Sequence, residues 1–263
     1  MGFIMGLSDD AYNTNPILKS VTQLSCGIVL LLTGTHINLF EYEIINYVLT
    51  IIWVMGIMNS INMLDNMDGI TGVVSLVISF TLLICLWSTK NTESMYFIVI
   101  TGLISGIIAF LFFNWFPSKM FMGDSGSQFL GALLAALGII FLWNLEPLED
   151  HQISLSKKIL FPLMAFIVPI ADTTSVVINR ISKGKSPFVG GKDHTTHHLA
   201  RIGLSDSQVA LAVMLLSMIS GLIILSYYTD EGELSLGEII FLSIYIFVVI
   251  VGLFSVTHYK REK

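Results

Sequence analysis

The residues best able to do chemistry in this chain are carboxylates, and they come in short groups rather than singly. Asp9-Asp10 is the first group. Asn62-Met-Leu-Asp65-Asn-Met-Asp68-Gly69 is the second, and Phe121-Met-Gly123-Asp124-Ser-Gly126-Ser127, following Asn114-Trp-Phe-Pro117, is the third. Five aspartates brought together repel one another, at roughly 4 kcal/mol per close pair for an effective dielectric near 20. A cation should sit among them, and oxygen ligands suit Mg2+, which shares its shell with waters and substrate phosphates. A fourth group, Asp193-His194-Thr-Thr-His197-His198, is rich in histidine. Those rings could bind a transition metal, contact a diphosphate or transfer a proton, or belong to an ordinary loop. A thiolate zinc site is not available, because Cys26 and Cys85 both lie in apolar runs.

Composition says what must carry these groups. Of 263 residues, 54% are hydrophobic and 12% charged, about half the charge of an ordinary soluble domain. With a mean hydropathy of +0.80, more apolar surface is present than one core can hide, so the remainder faces lipid. A helix needs about 20 apolar residues to span a bilayer. Eight runs of that kind are expected, at 17–39, 44–62, 69–88, 95–113, 126–144, 157–178, 206–227 and 236–257. Pro162 and Pro169 should kink the sixth, opening a lateral groove for a lipid or simply packing that way. Asp172 lies toward that span's end. Met1 to Gly6 lacks the basic flank of a signal peptide and reads as the end of a membrane helix that begins earlier.

Consecutive spans alternate in direction, which sorts the connections by side. Ten basic residues, Lys19, Lys119, Arg180, Lys183, Lys185, Lys192, Arg201, Lys260, Arg261 and Lys263, fall on one side, and Lys90, Lys157 and Lys158 on the other. By the positive-inside rule the first side is cytoplasmic. All four polar groups lie there. The net charge of −6 gives no reason to expect nucleic acid as a partner. Gly123 and Gly126 around Asp124, feeding the fifth span, should either expose backbone N–H groups to a phosphate or make a plain helix cap. The five basic residues from Arg180 to Arg201 suit an anionic ligand or serve topology alone.

In combination these motifs strongly resemble the bacterial polyprenyl-phosphate N-acetylhexosamine-1-phosphate transferases, over nearly the whole chain. The resemblance implies an all-α, polytopic membrane helix bundle forming one transferase domain over 1–263. It also implies transfer of a sugar 1-phosphate, GlcNAc-1-phosphate by the Phe-Val-Gly-Gly-Lys-Asp sequence before the histidines, from a UDP-N-acetylhexosamine to a polyprenyl phosphate, with release of UMP. UDP-MurNAc-pentapeptide is the alternative donor, and an inactive remnant the alternative to an enzyme. Carried over by position, Asp124 looks like the Mg2+ ligand, with Asp65 beside it and Mn2+ as a substitute ion. Asp9 and Asp10 lie where the lipid phosphate is bound and deprotonated, with Lys19 as a nearby substrate contact. Asn62, Asp65 and Asp68 look like nucleotide and metal-site residues, Phe121 the aromatic that stacks on uracil, Asn114 a nucleotide contact, and His194, His197 and His198 the diphosphate-binding loop. Direct attack is favoured, with a covalent aspartyl intermediate left open. The implied location is the plasma membrane with a cytoplasmic site, in initiation of envelope polysaccharide or O-antigen, and a homodimer is compatible. The family's His-x-His-His is altered here to His194-Thr-Thr-His197-His198, and the family's usual eleven spans imply three more before Asp9-Asp10.

Rival readings fit less well. Aromatic prenyltransferases want Asn-Asp-x-x-Asp, and CDP-alcohol phosphotransferases want Asp-Gly followed by Ala-Arg, whereas Asp68-Gly69 is followed by Ile-Thr-Gly. A transporter would place its polar residues near mid-membrane.

Overall fold

A computed structural model describes residues 1–89, 94–145, 154–186, 191, 193–228 and 232–259. Lys90, Lys192, Lys260, Arg261 and Lys263, all used in sorting the charges, lie outside the described residues, as does most of the Phe-Val-Gly-Gly-Lys-Asp stretch. The described residues are helical, in the order α1 (Gly2–Tyr12), α2 (Pro16–Leu32), α3 (Glu43–Leu64), α4 (Ile70–Ser88), α5 (Met95–Asn114), α6 (Gly123–Gly138), α7 (Leu155–Ala165), α8 (Ile167–Ser182), α9 (Thr195–Arg201), α10 (Asp206–Tyr228) and α11 (Leu236–Val256). A π-helical turn, Ile139–Trp143, prolongs α6. The chain is a polytopic all-α membrane protein. Six helices are long and apolar enough to span a bilayer, and the α7–α8 pair makes a seventh if taken together. Helices suit the bilayer because each satisfies its own backbone groups.

The α6 helix stands at the centre, packed chiefly against α1 and α3. Small residues permit that closeness. A Cβ on Gly131 would come within 2.8 Å of the Met58 Cα, and one on Gly6 would overlap the Asp124 carbonyl. Toward the other end, Trp53 donates from Nε1 to the Ala135 carbonyl at 3.1 Å and meets Trp143 and Phe166 edge-on. At the periphery, α11 buries 6% of its apolar window, against 67% for α4. The largely exposed helices are therefore the ones that face lipid.

Two expected spans differ. The run at 17–39 stops at Leu32 because Gly34 adopts φ 82° and Thr35 N–H turns back to the Leu30 carbonyl, a glycine-terminated helix end. The irregular stretch that follows is held by side chains. Asn46 Oδ1 accepts from Leu39 and Phe40, Thr50 Oγ1 from Ile37, and Asn144 Oδ1 from Asn38. These polar residues sit inside apparently apolar spans for that purpose. The run at 157–178 is two helices meeting at 73°. Pro169 has no N–H for the Ala165 carbonyl, so the helix parts at Phe166 rather than merely kinking.

Gly131→Ala should destabilise the protein by about 1–3 kcal/mol. Gly102→Ala, with nothing within 4 Å of the added Cβ, should be neutral or gain at most about 1 kcal/mol from helix propensity. Thermal unfolding of the two variants in detergent micelles checks the contrast, and equal losses would contradict it.

Candidate active site

All four polar groups converge at one end of the bundle. Positioning begins where α1 stops: Asn13 turns left-handed at φ 47°, and Asn15 caps α2 by accepting from Ile17 N–H at 2.9 Å. Asp9 locks this corner, its Oδ1 accepting from Thr14 N–H at 2.7 Å and from Thr14 Oγ1 at 2.5 Å. Lys19, one turn into α2, lies 3.4 Å from Asp9 Oδ2 and bonds Asp124 Oδ2. The other Asp124 oxygen accepts from Asn62 Nδ2 at 2.7 Å, and the same amide donates to Ser127 Oγ at 2.8 Å. One continuous chain of contacts thus joins α1, α2, α3 and α6.

Asp10 does something the motif did not suggest. Its carboxylate accepts from the backbone N–H of Asp124 at 2.8 Å and of Ser125 at 3.0 Å, capping α6 from another helix. The expectation that this glycine-rich turn offers free amides to a phosphate is therefore not met, since Asp10 takes two of them. Gly123, at φ 65°, must be glycine twice over, for its backbone conformation and because a Cβ would sit 2.8 Å from Asp10 Oδ2.

The second motif divides its labour. Asp65 follows α3 half-buried, and burial pushes its carboxyl up to about 6 from 3.8, with the charges of Asp124, Asp10 and Asp68 adding to the rise. Asp68 Oδ2 accepts from Ser118 N–H at 3.0 Å and Oδ1 from Ser118 Oγ at 2.9 Å. Buried Asn114 accepts from Gly69 N–H at 2.9 Å and donates to the Met120 carbonyl at 2.7 Å. Both side chains tie the loop after α3 to the loop before α6, a framework role in this structure. Phe121 lies elsewhere, 76% exposed at the rim of an apolar groove of about 670 Å³ that runs past Phe3, Gly102, Gly106 and Phe129.

The histidine group is tethered by a buried carboxylate. Asp172 of α8, 0% exposed, accepts from Thr195 N–H at 2.8 Å and Thr195 Oγ1 at 2.5 Å, and pairs with His194 Nδ1 at 2.8 Å. Arg180 grips Asp193 through two bonds of 2.8 and 2.7 Å and holds that carboxyl down to about 2. Burial, with the Arg201 and Lys183 charges beside it, lowers the pKa of His198. Thr196 Oγ1 donates to Asn66 Oδ1 at 2.7 Å, fastening the histidine helix to the second motif.

Between these elements lies a polar cavity of about 400 Å³, lined by Asp9, Lys19, Asn62, Asp65, Arg180 and His194 among others. Asp124 borders it through its bonds to Lys19 and Asn62. His197 and His198 stand on α9 beside it, outside its lining. Asn59, Asn66, Thr14 and Gln23 also face the cavity and were missed by motif reading. Asn66 was legible, standing inside the second motif; Gln23, bonded to Gln128 at 3.2 Å, sits in an apolar run with no local signal. Among the described residues no three His, Cys, Asp or Glu side chains converge to hold a metal ion unaided. Asp65 and Asp124 nevertheless present the oxygen donors that Mg2+ uses when substrate phosphates complete its shell.

The model of glycosyl transferase family 4 matches residues 1–142, more than half of the chain. The chain belongs to this family. A probable undecaprenyl-phosphate N-acetylglucosaminyl 1-phosphate transferase of Bacillus subtilis (strain 168) is 28% identical over 225 residues, covering 82% of this chain and 60% of that protein. Family members named phospho-N-acetylmuramoyl-pentapeptide-transferase match over less: that of Borreliella afzelii (strain PKo) is 32% identical over 52% of this chain and 35% of its own length. That of Carboxydothermus hydrogenoformans is 31% identical over 50% and 36%. The chain thus spans 60% or less of the curated family members named here. The matched stretch contains the Asp9, Asp65 and Asp124 motifs, whereas His194 lies beyond it.

Because Asp65 has a raised pKa when folded, its ionisation opposes folding as pH rises from about 4 through 6. Asp65→Asn should therefore change stability by less than about 1 kcal/mol near pH 4 and raise it by about 3 kcal/mol at pH 8. Unfolding of the metal-free protein at both pH values checks this, and a loss of stability at pH 8 would refute it.

Proposed function

We propose that this protein transfers GlcNAc-1-phosphate from UDP-GlcNAc to a polyprenyl phosphate such as undecaprenyl phosphate, releasing UMP, on the cytoplasmic face of the plasma membrane. The product is a polyprenyl diphosphate sugar on which an envelope polysaccharide is built. The observation that carries this reading is the polar cavity at the end of a membrane bundle, lined by Asp65, Asn62, Lys19, Arg180 and His194, with Asp124 at its border bonded to Lys19 and Asn62. Family membership supports the chemistry, and the 82% alignment with the N-acetylglucosaminyl relative supports the donor. The excess of basic residues on the cavity side supports the cytoplasmic orientation.

Two anionic substrates must be brought together, so the site's task is screening and positioning. Asp65 and Asp124 would hold Mg2+, which neutralises phosphate charge and polarises the phosphorus under attack. Lys19 pairs with Asp9 and Asp124, leaving it placed to pass to a substrate phosphate. The Arg180 charge also lines the cavity, oriented by Asp193. Attack by a lipid phosphate oxygen on the β-phosphorus forms one P–O bond as the bond to UMP breaks. Asp9 and Asp10 have their oxygens engaged by Thr14, Lys19 and the α6 amides. That supports their holding the site's shape more than taking the acceptor's proton.

Membranes carrying the chain, given radiolabelled UDP-GlcNAc, undecaprenyl phosphate and Mg2+, should yield labelled lipid. EDTA should abolish it, Mg2+ or Mn2+ should restore it, and Asp124→Asn should lower it by 100-fold or more, on the order of one lost electrostatic contact in a dry site. Labelled lipid that withstands both EDTA and Asp124→Asn would contradict this reading. Product from UDP-MurNAc-pentapeptide alone would reassign the donor.

A further inference from the structure

One ring in the polar cavity has its orientation set from behind. His194 lines the cavity and is 5% exposed, and its Nδ1 lies 2.8 Å from Asp172 Oδ2. A carboxylate oxygen accepts, so Nδ1 carries a hydrogen and Nε2, across the ring, is the nitrogen left to the cavity. Asp172 cannot turn away, because Thr195 donates to its other oxygen from both N–H and Oγ1. Thr196, next along, is pinned to Asn66 of the second motif. The Asp–His pair is therefore anchored at both ends, on α8 and on the loop after α3. The titratable and charged groups around His194 are Asp172 of α8, bonded to its Nδ1, the neighbouring Asp193, His197 of α9, whose ring lies 6.1 Å away edge-on, and, across the shared cavity lining, Asp9, Lys19, Asp65 and Arg180.

We propose that Asp172 is a positioning residue that fixes His194 in the Nδ1–H form, so that Nε2 is the catalytic nitrogen that meets the substrate phosphates and exchanges a proton with them. The naming of the substrate rests on the transferase reading, whereas the tautomer does not. The proposal fills a gap, since the oxygens of Asp9 and Asp10 are already engaged within the fold. A proton leaving the lipid phosphate for Nε2 gives an imidazolium whose charge Asp172 balances across the ring. The same ring can then give that proton to the phosphate oxygen of the departing UMP, which closes the proton balance.

Asp172→Asn separates positioning from fold. It keeps the shape, but the two Thr195 donors claim the amide oxygen, which turns the NH2 toward His194 Nδ1 and forces the hydrogen onto Nε2. Nitrogen NMR of 15N-histidine-labelled protein in micelles should show Nδ1–H at His194 in the wild type, a Nε2 resonance that moves when UDP-GlcNAc is added, and the inverted tautomer in Asp172→Asn. Turnover of Asp172→Asn should fall about 10²- to 10⁴-fold with little change in KM, and the Asp172→Asn, His194→Gln double variant should be no slower than His194→Gln alone. A wild-type ring with its hydrogen on Nε2, a Nε2 resonance indifferent to UDP-GlcNAc, an unchanged tautomer in Asp172→Asn, or additive losses in the double variant would each overturn the proposal. If the wild type transfers no sugar phosphate, the transferase reading fails, and the two tautomers still decide the Asp172–His194 assignment.

Discussion

The clamp between α1 and the start of α6 is the contact on which the rest depends. Gly6 lets the two backbones touch, and Asp10 then satisfies two amides that would otherwise end α6 unpaired. Helix starts carry partial positive charge, so a carboxylate there is stabilised. That arrangement has a consequence for Asp124, the next side chain along. With its own amide taken, its carboxylate points to Lys19 and Asn62 instead of capping its own helix. A residue that commonly ends as a cap is thereby turned toward the two side chains, Lys19 and Asn62, that line the cavity.

Around this clamp the polar residues divide into those that build the frame and those that face the cavity. Asn114, Asp68 and Ser118 join two loops, and Asp172 with Thr195 joins α8 to α9. Buried polar groups are costly unless paired, and pairing across different helices fixes their mutual geometry. The pKa of Asp65, at the cavity, is raised chiefly by burial, with the charges of Asp124, Asp10 and Asp68 adding to it. Keeping Asp65 ionised there comes at a cost to the protein's own stability.

Much of this was legible in the sequence because two physical signals are strong in membrane proteins. Apolar runs near 20 residues recovered the positions of α3, α4, α5, α6, α10 and α11 within a few residues, and aspartates at span ends marked the site. What was not legible depended on contacts distant in sequence. Gly34 ending α2 and Pro169 parting α7 from α8 were visible as residue types, but the 73° angle follows from packing. Asp10 capping α6 spans 114 positions, and no local pattern distinguishes it from Asp9. Phe121, placed by resemblance near the nucleotide, stands at an apolar rim here. Asp172 was noticed for its position near a span's end, yet its partner His194 lies on a separate helix-loop unit.

If Asp65 and Asp124 hold a divalent cation as proposed, the binding of a nucleotide diphosphate depends on that cation and on both carboxylates. Calorimetric binding of UDP-GlcNAc to the purified protein in micelles, with Mg2+ and with EDTA, tests it most directly. Binding should need Mg2+ and be lost in both Asp65→Asn and Asp124→Asn. Binding of equal strength in EDTA, or undiminished in both variants, would contradict it.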